Sequence, residues 1–148
     1  MRVTPAQPTD LPRIHEMITA LSAFHGDIAT VTLPQLEQAL FTSGLSTALL
    51  AYDADLVVGY AGLNFTIALH TGAPRIDIHH LYVDKDHRTK GVGRALISAA
   101  SAIAREKGAQ GMTIGTDPKN RSAQAAYRAM GLHEITDAGP RFWIPVDQ

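Results

Sequence analysis

His-Arg-Thr-Lys-Gly-Val-Gly-Arg-Ala-Leu, residues 87–96, sets two glycines one residue apart among basic side chains. An apolar run ending at Val83 precedes it and a second apolar run begins at Val92. Strand, glycine-bearing turn and helix start, in that order, make an anion site. The first amides of a helix have no intrahelical acceptor, and the helix dipole adds positive charge there. Gly91 and Gly93 let a bulky group approach the backbone closely, and Arg88, Lys90 and Arg94 add charge around it. The ligand expected at this turn therefore carries phosphates. Neither common nucleotide pattern fits. G-x-G-x-x-G fails because position 96 is Leu, and G-x-x-x-x-G-K-[ST] has no match in the chain.

Upstream of the turn, RIDIHHLYV (75–83) reads as a strand, rich in β-branched and aromatic residues. Strict alternation would put Asp77, His79, Leu81 and Val83 on one face and Ile78, His80 and Tyr82 on the other, unless a bulge upsets the count. STALLAYD (46–53) and LVVGYAGLNFTIAL (56–69), joined at Ala54-Asp55, read as a hairpin, and HTGAP (70–74) as a loop. Downstream, Val92, Leu96, Ala99, Ala100 and Ile103 share one face of a helix over 92–107, which Lys107-Gly108 ends. GMTIGT (111–116) is a strand, SAQAAYRAM (122–130) a short helix stopped by Gly131, and LHEIT (132–136) and RFWIPV (141–146) closing strands. At the start, RVTP (2–5) is a short strand. Thr9 or Asp10 caps a helix striped by Leu11, Ile14, Met17, Ile18 and Leu21, and Thr32 caps a second that runs to Phe41. The order β-α-α-β-β-β-α-β-α-β-β describes one mixed α/β layer structure.

Composition bounds the function. The chain has 148 residues, one ordinary domain, with a formal charge of −1. That balance argues against a broad grip on nucleic acid. With no cysteine, disulfides, thiolate metal sites and a cysteine nucleophile are excluded. No stretch approaches the ~20 apolar residues of a membrane span, and the N-terminus has no signal-peptide pattern, so a cytoplasmic protein is expected. No metal is expected either, since His79 and His80 should point apart in a strand and no carboxylate spacing completes a site.

Arg88-x-x-Gly91-x-Gly93 after a strand ending at Val83 resembles the acyl-coenzyme A pyrophosphate loop of the GNAT N-acetyltransferase superfamily. A second stretch agrees. Asn120-Arg-Ser-Ala-Gln-Ala-Ala-Tyr127-Arg-Ala-Met-Gly131-Leu132 resembles the family's N-x-x-A-x-x-x-Y-x-x-x-G-F segment, with Leu132 in place of the usual Phe. The likeness covers roughly residues 50–146, and the element order of the whole chain fits it. The resemblance implies a single domain over 1–148 with an α/β (mixed α+β) fold. A central, mostly antiparallel, splayed sheet of about six or seven strands would carry helices on both faces.

The resemblance also implies a chemistry, the transfer of acetyl from acetyl-coenzyme A, a cosubstrate, to an amine that attacks it directly. Cofactor contacts would come from Leu81, Tyr82, Val83, Arg88, Thr89, Lys90, Gly91, Val92, Gly93, Arg94, Asn120 and Tyr127. Leu81 and Val83 would hold the pantetheine arm by backbone groups, as an added strand does. Tyr127 occupies the family's place for the acid that protonates the leaving thiolate. Asp77 lies where many members carry a catalytic glutamate, and His79 where some arylalkylamine-type members carry a histidine. Either could be the base, alone or through a water relay, with His80 third. Residues 20–41 are similar to the corresponding region of diamine and thialysine-type members. The acceptor expected is thus a small primary amine, polyamine or amino acid. A peptide N-terminus or an aminoglycoside is the alternative substrate. A noncatalytic acyl-coenzyme A sensor and a nucleotide-binding module are the alternative functions. RFWIPV carries the only tryptophan, Trp143. A closing strand of this kind often supports a dimer in the family, so the resemblance implies a homodimer, although Trp143 could instead fill the core.

Overall fold

The structure is a computed structural model that describes residues 1–146. The chain divides into two compact units, Met1–Asp117 and Pro118–Gln148. In the first, five strands form one sheet in the order of the chain: β1 (Arg2–Pro5), β2 (Ser46–Asp53), β3 (Leu56–Ala68), β4 (Ala73–Val83) and β5 (Met112–Ile114). Neighbours from β1 to β4 are antiparallel, and β5 runs parallel to β4. A parallel pair needs a crossover, and helix α3 (Val92–Glu106) supplies it.

The sheet is covered on both faces. Val92, Leu96, Ala100 and Ala104 of α3 lie four residues apart and pack on Leu49, Ala51, Val58, Ala61, Leu63, Ile76 and Ile78. On the opposite face Leu11, Ile14, Met17 and Ile18 of α1 (Leu11–Phe24), with Leu36 of α2 (Leu33–Glu37), cover Ala48, Leu50 and Tyr60. The alternation of β2 is what lets one strand serve both cores. Gly59 sets how near α3 can come. A Cβ there would stand 2.9 Å from the Tyr82 carbonyl oxygen and 3.0 Å from Val92 Cγ1.

Helix starts follow the expected chemistry with local changes. Asp10 precedes α1, but its carboxylate accepts the Gln7 N–H at 2.8 Å. Thr32 and Gln35 form a reciprocal cap on α2, which passes into a π-helical turn at Gln38–Thr42 instead of continuing as α-helix to Phe41. Arg13 of α1 donates to Asp84 Oδ2 at 2.6 Å and to the Val57 carbonyl at 2.9 Å, fixing the end of β4 against that helix.

In the second unit α4 (Arg121–Ala129) is capped by Asn120, whose Oδ1 accepts the Ala123 N–H at 3.1 Å. Gly131, at φ +82°, closes it, and the Leu132 N–H returns to the Tyr127 carbonyl at 3.0 Å. The expected strands at 132–136 and 141–146 do not form. Residues 132–146 join no ladder and are exposed, so the sheet has five strands among the described residues, not six or seven. Aromatic and β-branched residues give these segments strand propensity, but a strand exists only where a neighbouring edge pairs with it. β5 is also shorter than the expected 111–116, while β4 starts two residues before 75.

Candidate active site

The turn after β4 is built as an open helix start. Arg88 Nε donates to the Val83 carbonyl at 3.0 Å, Thr89 takes φ +62°, and Gly91 takes φ +85° immediately before α3. A β-branched residue at positive φ is strained, and such strain collects at functional turns. No side chain caps α3, so its first amides, those of Val92, Gly93 and Arg94, are left to other partners. Gly91 is demanded by its backbone angle. Gly93 is not demanded by the protein. A Cβ there would meet nothing nearer than Leu81 Cδ2 at 3.8 Å. Glycine in a helix costs about 1 kcal/mol relative to alanine, and here the missing side chain leaves the amides open to a ligand. Arg88, Lys90 and Arg94 are all exposed around them. The site fits a phosphate-bearing group.

The edge of β4 beside this turn is half paired. β5 matches β4 only from Ile76↔Met112 to Ile78↔Ile114, whereas β4 runs on to Val83. From His79 to Val83 that side of β4 has no strand neighbour among the described residues. The sheet is splayed there, and an extended ligand arm can add to the edge. Tyr82 lies on this segment. Burial, then the charge of Asp84, pushes its phenol pKa up.

A bulge corrects the expected faces of β4. Gly62 opposes His80 and Leu63 opposes Ile78, leaving His79 as the extra residue. The alternation therefore changes phase. Ile76 and Ile78 before the bulge and Leu81 and Val83 after it pack on the α3 side. Tyr82 packs on the α1 side, and His80 bonds to Tyr60, a core residue of that side. Asp77 thus shares a face with His80 and Tyr82, not with Leu81 and Val83. His79 and His80 do not point apart either. Their rings stack with centroids 4.4 Å apart and planes at 24°, because a bulge turns two successive side chains toward one side.

The two histidines have different partners. Tyr60 Oη and His80 Nδ1 share a hydrogen bond of 2.6 Å. Burial, then the nearby His79 and His25 imidazoles, lowers the His80 pKa to about 4. Burial raises that of Tyr60. The pair is therefore neutral at neutral pH and rigidly held. His79 is exposed to solvent. Asp77 Oδ1 accepts the Thr113 hydroxyl at 2.7 Å across the β4–β5 pair. Tyr60, Thr113 and His25 carried no sequence signal, because each becomes relevant only through sheet register or a turn. Among the described residues no three or more His, Cys, Asp or Glu gather as a metal site.

The remaining two residues belong to the second unit. Asn120 uses Oδ1 for the cap and for the Ser122 hydroxyl at 3.1 Å. Tyr127, near the middle of α4, is half-buried, and burial raises its pKa, so the phenol keeps its proton at neutral pH.

Comparisons with known proteins bear on this arrangement. The model of the acetyltransferase (GNAT) family matches residues 14–132. N-acetyltransferase 8 of Homo sapiens is 35% identical over 58 residues, 39% of this chain and 26% of that protein. Thialysine N-epsilon-acetyltransferase of Bos taurus is 28% identical over 82 residues, 55% of this chain and 48% of that protein. The chain spans from about a quarter to about a half of the length of such curated relatives. Among solved structures, a probable acetyltransferase superposes with a TM-score of 0.85 at 22% identity, over 100% of both chains. That likeness concerns the fold.

Proposed function

Because the chain belongs to the acetyltransferase (GNAT) family, we propose that it moves an acetyl group from acetyl-coenzyme A to the primary amine of a small molecule, a polyamine, an amino acid or a similar compound. The observation that carries this reading is the open start of α3, with Gly91 at φ +85° and no side-chain cap, placed at the end of a strand whose edge is unpaired. The thialysine acetyltransferase relative supports an amine acceptor of this size. On this reading residues 1–148 act as one catalytic domain, cytoplasmic and homodimeric. No helix among the described residues is long and apolar enough to cross a membrane.

When bound, acetyl-coenzyme A supplies an acetyl carbon activated as a thioester. The amides of Val92, Gly93 and Arg94, with Arg88, Thr89, Lys90 and Gly91, hold its phosphates. The edge of Leu81, Tyr82 and Val83 takes the arm as an added strand, and a backbone N–H there polarises the acyl oxygen. Asn120 offers its amide nitrogen to the arm. Tyr127 donates its phenolic proton to the departing sulfur.

The amine must lose a proton to attack. His80 is a poor receiver. An alkylammonium has a pKa of about 10, and an imidazolium of about 4 lies about six units below it, a gap of roughly 8 kcal/mol. His80 therefore serves as a fixed neutral hydrogen-bonding ring. His79, exposed and stacked on it, takes the proton and passes it to water, and Asp77 contributes through the same water.

The test is free-thiol release from acetyl-coenzyme A against polyamines, amino acids, aminoglycosides and peptides. Release that depends on a small amine is the expected result. Coenzyme A binding without release for any acceptor would favour a sensor, and release only with peptides or aminoglycosides would replace the substrate class.

A further inference from the structure

Phe24 ends α1 and is 56% exposed, a large apolar ring left at the surface. The guanidinium carbon of Arg88 stands 5.5 Å from the centroid of that ring, within the ~6 Å over which a cation is attracted to an aromatic face. Arg88 is also tied at a second point, through Nε to the Val83 carbonyl at 3.0 Å. Two anchors thus fix an arginine that is otherwise exposed, beside the open amides of α3. The ring is itself held, with the His25 imidazole edge-on at 5.5 Å and 65°. With Nε used on Val83, the terminal guanidinium nitrogens are the donors left for a phosphate.

We propose that Phe24 is a positioning residue for the cosubstrate: its ring face holds Arg88 in place for the phosphates that the 88–94 turn receives. An unsupported arginine must give up rotamer freedom when it meets a ligand, and one already ordered does not. The inference rests on reading that turn as the coenzyme A site. It adds that the end of α1, a segment outside the phosphate motif, contributes to cosubstrate affinity.

Calorimetric titration of coenzyme A tests it in wild type, Gly91→Asp, Phe24→Leu, Phe24→Trp, Arg88→Ala and the Phe24→Leu/Arg88→Ala double variant. Phe24→Leu keeps apolar bulk and removes the π-face, so Kd should rise about 2–5-fold, the size of a cation–π contact at an exposed ring. Phe24→Trp should bind at least as tightly as wild type. In the Arg88→Ala background Phe24→Leu should add nothing. Wild-type affinity in Phe24→Leu, equal weakening in Phe24→Trp, or additivity with Arg88→Ala would overturn the proposal while the turn assignment stood, provided Gly91→Asp still weakened binding. Equal affinities for wild type and Gly91→Asp would overturn the turn assignment and this inference with it.

Discussion

Burial and two neighbouring imidazoles hold the His80 pKa at about 4, which links its protonation to folding. In the unfolded chain an imidazole takes up a proton near pH 6.5. The folded ring refuses it until about pH 4. Between those values the unfolded state binds more protons, so stability falls as pH drops from about 6.5 to about 4 and is unaffected by this group above that window. His80→Asn, which can still bond to Tyr60, should flatten this dependence by on the order of 1–2 kcal/mol, after allowance for solvent screening of a partly exposed ring. Urea unfolding at pH 4, 5, 6 and 7 measures it, and an unchanged slope would count against His80 as its source. Rate profiles separate the other candidates. His79→Gln should remove the rise of kcat/KM toward basic pH, and Asp77→Asn should shift it less. A flat effect in both would leave bulk water as the base. Tyr127→Phe should lower kcat by roughly 10²-fold with little change in coenzyme A affinity by calorimetry. A wild-type kcat would remove Tyr127 from the mechanism.

At the scale of elements, the site depends on how closely α3 meets the sheet. Gly59 lies where a Cβ would stand 2.9 Å from a backbone oxygen of Tyr82, which cannot move without displacing β4. Gly59→Ala should therefore cost about 1–3 kcal/mol by overpacking and lower Tm by roughly 3–10 °C. Calorimetric unfolding checks this, and a Tm within a degree of wild type would mean that the helix shifts freely. Much of this level was legible beforehand. The stripe from Val92 to Ile103 and the Lys107-Gly108 stop located α3, and the glycine turn located its open end. The bulge at His79 was not legible. It arises from how β3 and β4 pair across Gly62 and Leu63, and nothing in HHLYV itself says where the alternation slips.

At the scale of the whole molecule, residues 141–146 bear on assembly. Phe142 and Trp143 are 84% and 88% exposed, apolar surface that a second copy would cover in the homodimer proposed above. Light scattering should give a mass twice that of one chain, and Trp143→Ser should shift it toward one. A monomeric wild type would remove the dimer from the reading.

The glycine turn and the order of elements through α4 were legible in the sequence, because glycine angles, helix caps and residue spacing are short-range chemistry, and the family was legible through the resemblance of two motifs, 88–93 and 120–132. Only the folded chain decides that His79 stacks on His80, that Asp77 accepts from Thr113, that Tyr60 bonds to a His80 which burial keeps neutral, and that Phe24 lies under Arg88. Those pairs join residues 20 to 64 positions apart, or turn on a one-residue slip in register. The same reason explains the closing strands that did not form. Propensity is local, but a strand, a buried hydrogen bond and a shifted pKa are made by neighbours that only the folded chain supplies.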